Sequence, residues 1–169
     1  MKNNGTLKLF TLLCVLGSAI CYFVVPYLQY PELSGSWLSA KITYKNISCV
    51  DIFYNANKFG INDNMTTLLL GLIIMSIILV IGLVADKNNS KIFFSLVAVS
   101  QILSGILNGY IFYTFDKIKS SAYGITGIVM DAVNIKLIYG IYLNIGLIIL
   151  ALILSIIGIT NNGKVPNNI

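Results

Sequence analysis

Four stretches of this chain carry no charged residue, and each is about as long as a membrane core is thick. Twenty-three uncharged residues separate Lys8 from Glu32, and 22 separate Asp63 from Asp86. Another 24 separate Lys91 from Asp116, and 27 separate Lys136 from Lys164. A hydrocarbon core of about 30 Å takes roughly 20 apolar helical residues to cross. Backbone groups in hydrocarbon must satisfy one another, and within one segment only a helix does that. The expected fold is therefore an all-α membrane protein, a bundle of four transmembrane helices forming a single domain over residues 1–169. The spans fall at about 9–28, 66–85, 92–115 and 137–160, with outer loops at 29–65 and 116–136.

The composition agrees with that reading. Charged residues make up 10% of the chain, against about 25% in soluble proteins. All 11 basic residues are Lys, with no Arg and no His. Without a basic cluster or an arginine fork, no nucleic-acid partner is expected. The first run begins like a signal peptide, with Lys2 and Lys8 ahead of an apolar stretch and Gly17-Ser18-Ala19 as a small-residue site. Its apolar character continues through Val25, beyond the length of a signal core, so a retained span is the expectation. Pro26 and Pro31 bracket the span's exit, where proline stops a helix.

Lysine placement sets the expected orientation. With both termini cytoplasmic, Lys2, Lys8, Lys87, Lys91 and Lys164 lie inside with only Asp86 against them. The longer outer loops hold six Lys against five acidic residues. The lysine density is therefore higher inside. The expected location is the plasma membrane, multi-pass, with the lipid bilayer as the first partner.

The outer loop 29–65 is the most distinctive soluble part. Pro31 to Ser36 reads as turn chemistry. Trp37 to Tyr44 and Ile47 to Tyr54 read as two strands, rich in β-branched and aromatic residues, with Lys45-Asn46 as the turn between them. A small β-hairpin is expected, capping the bundle, with Trp37 and Tyr27 as interfacial anchors. The same loop is a candidate recognition surface through Trp37, Tyr44, Phe53 and Tyr54. In the second outer loop, Ile125, Ile128, Val129, Ala132 and Val133 follow helical spacing and predict a short interfacial helix.

Inside the expected spans there is no Asp, Glu, Lys, Arg or His, the groups that proton relays and ion-coupled carriers use. Neutral polar residues gather in the third span. Val97, Gln101, Ser104 and Asn108 are spaced at four, three and four, so they share one helix face. Asn144 of the fourth span lies at a depth similar to Asn108 and within expected reach of it. Two readings follow for Gln101, Ser104, Asn108 and Asn144: an internal packing seam joined by interhelical hydrogen bonds, or the lining of a path. Cys14, Gly17, Ser18 and Cys21 make a small-residue stripe in the first span that suits close packing. No Ser-His-Asp set, metal-spaced Cys/His cluster or phosphate-binding glycine loop is found. The expectation is a protein that is not an enzyme and takes no cofactor.

The layout resembles the claudin-like tetraspan architecture: four spans, a long first outer loop with strand character and a shorter second one. Trp37 followed by Cys49 is similar to the Trp and Cys of that family's first loop, although this loop has a single Cys and Gly35-Ser36-Trp37 in place of the family's Gly-Leu-Trp run. The chain is also similar to small uncharacterised four-span membrane proteins of low-GC Gram-positive bacteria. It shares with them the Ser-Gly pair after the first span and a last-span entry of the Gly140-Ile141-Tyr142-Leu143 type. The resemblance implies a tetraspan fold. The expected function is to act through protein–protein contacts, as an accessory subunit, an immunity-type protector or a self-associating scaffold. The partner would be another membrane or extracytoplasmic protein, or a second copy. The alternative is an oligomeric passive channel or carrier lined by the polar face of the third span.

Overall fold

The computed structural model describes residues 4–34, 41–54, 90–126 and 136–163, with positions 71, 74, 75, 78, 79, 81 and 82 between them. In chain order the elements are α1 (Asn4–Phe23), β1 (Pro26–Ser34), β2 (Lys41–Ser48), α2 (Cys49–Tyr54), α3 (Ser90–Thr126), β3 (Lys136–Leu137) and α4 (Tyr139–Gly163). Helices α1, α3 and α4 each contain a stretch long and apolar enough to cross a membrane. Among the described residues the protein is therefore mostly helical, with three candidate spans and a small three-stranded sheet. Between Gly71 and Gly82 the described residues are helical. The expected second span at 66–85 otherwise lies outside the described residues.

The helices end where local chemistry stops them. Helix α1 closes at Phe23, ahead of the span end at Leu28 read from the uncharged run. Pro26, which has no N–H to donate, opens β1 instead. Helix α3 continues to Thr126, well past the expected end at 115, because Asp116, Lys117 and Lys119 are compatible with helix once it leaves hydrocarbon. The expected interfacial helix from Ile125 to Val133 lies mostly outside the described residues.

The sheet order is β2-β1-β3, all antiparallel. The hairpin therefore differs from the expected one. Pro31 to Ser34, expected as turn, are strand residues of β1, while Gly35 and Ser36 lie outside the described residues. Lys45 and Asn46 lie within β2, paired with Tyr30 and Gln29. Residues Cys49 to Tyr54, expected as strand, form helix α2. Its start is fixed by a reciprocal cap. The Asp51 backbone N–H donates to Ser48 Oγ at 3.2 Å, while the Ser48 N–H and hydroxyl donate to Asp51 Oδ2 at 3.1 and 2.8 Å. Strand β1 carries a bulge between Pro26 and Leu28, where the pairing steps from Ser48 to Ile47. Consecutive strand residues ordinarily face opposite ways. The bulge lets Tyr27 and Leu28 both turn inward, and both are fully buried.

The long helices meet along heptad-spaced seams. Buried positions run Thr11, Val15, Ser18 and Tyr22 on α1, and Phe94, Val97, Gln101, Ser104, Asn108 and Ile111 on α3. On α4 they run Ile141, Asn144, Ile148, Ala151, Ser155 and Gly158. Alternating steps of three and four keep one face turned to a neighbouring helix. Helix α4 packs along both α1 and α3. It is antiparallel to α3: the Phe94 ring lies against Gly158 at one end, and the Phe112 and Tyr142 rings meet at 6.2 Å at the other. Gly17 of α1 faces Leu147, and Gly140 lies against Pro26, so α4 is antiparallel to α1 as well. Gly140 is the tightest point. A methyl group there would stand 2.2 Å from the Pro26 carbonyl oxygen, which leaves glycine as the only residue that fits the junction of β1 and α4.

A buried polar seam as the candidate functional site

The polar residues of the seams converge at the end of the bundle nearest the sheet. Tyr22 reaches from α1 across to α3. Its hydroxyl shares a 2.5 Å hydrogen bond with Ser104 Oγ and lies 3.0 Å from the Ser104 carbonyl oxygen. Asn108 Nδ2 donates to the Tyr22 hydroxyl at 2.7 Å and to the Ser104 carbonyl at 2.9 Å. On the α4 side, Ser18 Oγ donates to Asn144 Oδ1 at 2.5 Å, and Asn144 Nδ2 donates to the Tyr27 hydroxyl. The Tyr22 and Tyr27 rings lie 6.1 Å apart and join the two arms. One cluster thus connects α1, α3, α4 and β1.

The surroundings are apolar. Cys21, Leu28, Ile47, Cys49, Ile52, Phe53, Met75, Leu107, Ile111 and Ile141 form the core around the two tyrosines. Burial pushes the Cys49 thiol well above its ordinary range and suppresses the thiolate that reacts. All three cysteines are buried and unpaired. Among the described residues, no three His, Cys, Asp or Glu side chains gather in a way that could hold a metal ion.

The residues singled out from sequence fall into two groups. Gln101, Ser104, Asn108 and Asn144 are all inside the bundle, with no more than 3% of any of them exposed. Asn108 and Asn144 do not hydrogen-bond to each other, as their similar depth had suggested. Tyr22 occupies Asn108, while Ser18 and Tyr27 occupy Asn144. The outer-loop set is divided. Tyr44 and Tyr54 are exposed, Phe53 is buried in the core because α2 replaces the expected strand, and Trp37 lies outside the described residues. Tyr27, expected as an interfacial anchor, is fully buried because the bulge turns it inward.

Sequence reasoning missed Tyr22, Tyr27 and the bonding role of Ser18. A signal was present: Thr11, Ser18 and Tyr22 are spaced at seven and four, which is a polar heptad stripe on α1.

Chemically, the cluster is neutral. Its amides and hydroxyls are spent mostly on one another, which joins helices and activates no nucleophile. Among the described residues, four buried oxygens have no protein partner: Ser100 Oγ, Gln101 Oε1, Asn108 Oδ1 and Ser155 Oγ. Comparison with known protein families, with curated proteins and with solved structures finds no match for this chain.

Proposed function

We propose that the protein is a non-enzymatic, four-span plasma-membrane protein that acts through protein–protein contacts, as an accessory subunit, immunity-type protector or self-associating scaffold. The observation that carries this reading is how the buried polar groups are used. Tyr22, Ser104 and Asn108 tie α1 to α3, and Ser18, Asn144 and Tyr27 tie α4 to α1 and β1. The polar face of α3 is closed within one chain, which favours a packing seam over the lining of a channel or carrier path. That use leaves the exposed sheet and α2 to meet a partner, with Tyr44 and Tyr54 on the surface.

The remaining span in this proposal is the second one, at about 66–85. Its support is the helical state of the described residues there and the packing of Met75 and Leu79 against the two cores. Both termini are placed in the cytoplasm. Lys8 and Lys91 lie toward the end of the bundle remote from the sheet, and the exposed rings of Tyr113, Tyr139 and Tyr142 lie toward the sheet end. Cations inside and an aromatic belt at the interface fit that orientation.

Purification of the full chain in mild detergent, followed by mass analysis of the intact complex, tests the reading. A stoichiometric partner protein, or a defined homo-oligomer held through residues 29–54, is the expected result. A closed ring of copies that conducts solutes in liposomes would replace it with the channel reading.

A further inference from the structure

We propose that Gln101 and Ser155 bind an internal water molecule between α3 and α4, one layer inside the contact of Phe94 with Gly158. Both side chains are at least nine-tenths buried, and the side-chain oxygen of each lacks a protein partner. The Phe94–Gly158 contact fixes the antiparallel register at that end. From there, equal helical rise places Val97 level with Ser155 and Gln101 level with Ala151.

Side chains lean toward the N-terminus of their own helix. On antiparallel helices these directions oppose. Gln101 therefore leans toward the Ser155 layer while Ser155 leans toward the Gln101 layer, and the two converge without bonding directly. Ala151, fully buried opposite Gln101, supplies room because its side chain is a single methyl.

The serines of α3 and α4 also differ from the buried threonines of α1 and α3. Thr11 donates to the Leu7 carbonyl at 2.8 Å and Thr114 to the Tyr110 carbonyl at 3.0 Å. Ser100 and Ser155 make no such bond to the preceding turn and keep their hydroxyls available.

Water suits this donor set. Gln101 Oε1 accepts only, while each serine hydroxyl both donates and accepts. A water molecule donates twice and accepts twice, and buried waters take two to four polar partners of this kind. Neither group carries a formal charge, so a cation would be held by neutral oxygens alone.

A structure of the full chain in a lipid mesophase, at a resolution that shows ordered solvent, tests the proposal. The expected result is a peak about 2.7–3.2 Å from Gln101 Oε1 and from Ser155 Oγ. A direct bond from Gln101 Oε1 to Ser155, Ser100 or another protein donor overturns it. So does a peak about 2.4 Å from several oxygens, the spacing of a bound cation.

Thermal unfolding of Gln101→Met, Ser155→Ala and the double variant gives a second readout. If the groups share a water, each single change strands the partners it leaves. The double variant then unfolds at a higher temperature than the sum of the single losses implies. Strictly additive losses overturn the shared site.

Discussion

Replacing either buried asparagine with leucine removes an amide from the seam, yet the two substitutions should differ sharply in effect. Asn144 makes two hydrogen bonds to other elements, from Ser18 and to Tyr27. In Asn144→Leu, Ser18 falls back on a carbonyl of its own helix, as Thr11 does, while the buried Tyr27 hydroxyl loses its amide donor. Interhelical hydrogen bonds in membrane proteins are worth about 0.6 kcal/mol on average and up to about 1.7. A stranded buried polar group costs about 1–3 kcal/mol. Together these give a loss of about 2–4 kcal/mol.

Asn108 makes one bond to another helix, to Tyr22, and one to the Ser104 carbonyl of its own helix. In Asn108→Leu the Tyr22 hydroxyl keeps Ser104, and the Ser104 carbonyl keeps its place in the helix ladder. The change also removes an amide oxygen that has no partner. The lost bond and the removed orphan nearly cancel, leaving a net change of about 0–1 kcal/mol. The difference between the variants is about 1–4 kcal/mol, or roughly 5- to 700-fold in the unfolding equilibrium. Reversible unfolding in mixed micelles of a mild and a denaturing detergent measures it. An Asn108→Leu variant as unstable as Asn144→Leu would refute the bond-by-bond reasoning.

Gly140→Ala should sharply lower the yield of folded protein, because its methyl meets the Pro26 backbone. Gly146→Ala meets open space, so in the same assay it should be neutral or gain up to about 1 kcal/mol in helix propensity. Ser48→Ala should cost about 1 kcal/mol by uncapping α2, seen as faster amide exchange confined to residues 48–54. Cys49 should resist water-soluble maleimide in the folded protein at pH 7–8 and react after unfolding, because it is buried and its thiol is pushed up. A thiol raised in the folded state favours unfolding once the unfolded thiol ionises. Stability should therefore be flat below about pH 8.5 and fall above it, a fall that is lessened in Cys49→Ala.

The charge-free runs carried α1, α3 and α4 because exclusion of charge from hydrocarbon is a property of each segment alone. Their ends were less legible. Residues 24–28 are uncharged like the run before them, but the chain turns at Val24 and Val25 and becomes strand from Pro26, with a bulge at Tyr27, and that outcome depends on β2 and β3 being present. The spacing of Gln101, Ser104 and Asn108 put them on one face, and the structure buries that face. Their partners could not be read the same way, since a tyrosine near a span end reads as an interfacial anchor until another strand covers it. In the outer loop, the Ser48-x-x-Asp51 cap was written in the sequence. The β-branched and aromatic content of 47–54 outweighed it and pointed to strand.

The central claim is that the polar face of α3 is a closed seam and not an aqueous path. Single cysteines introduced along α3 in a background without the three native cysteines test it directly. The account predicts that Cys at Gln101, Ser104 and Asn108 stays unreactive to both water-soluble and membrane-soluble maleimides in intact membranes. Cys at the exposed positions Ile102 and Ile106 should resist both as well, because a thiol facing hydrocarbon does not ionise and the thiolate is what reacts. Rapid labelling at 101, 104 and 108 by the water-soluble reagent would contradict the seam and establish a path.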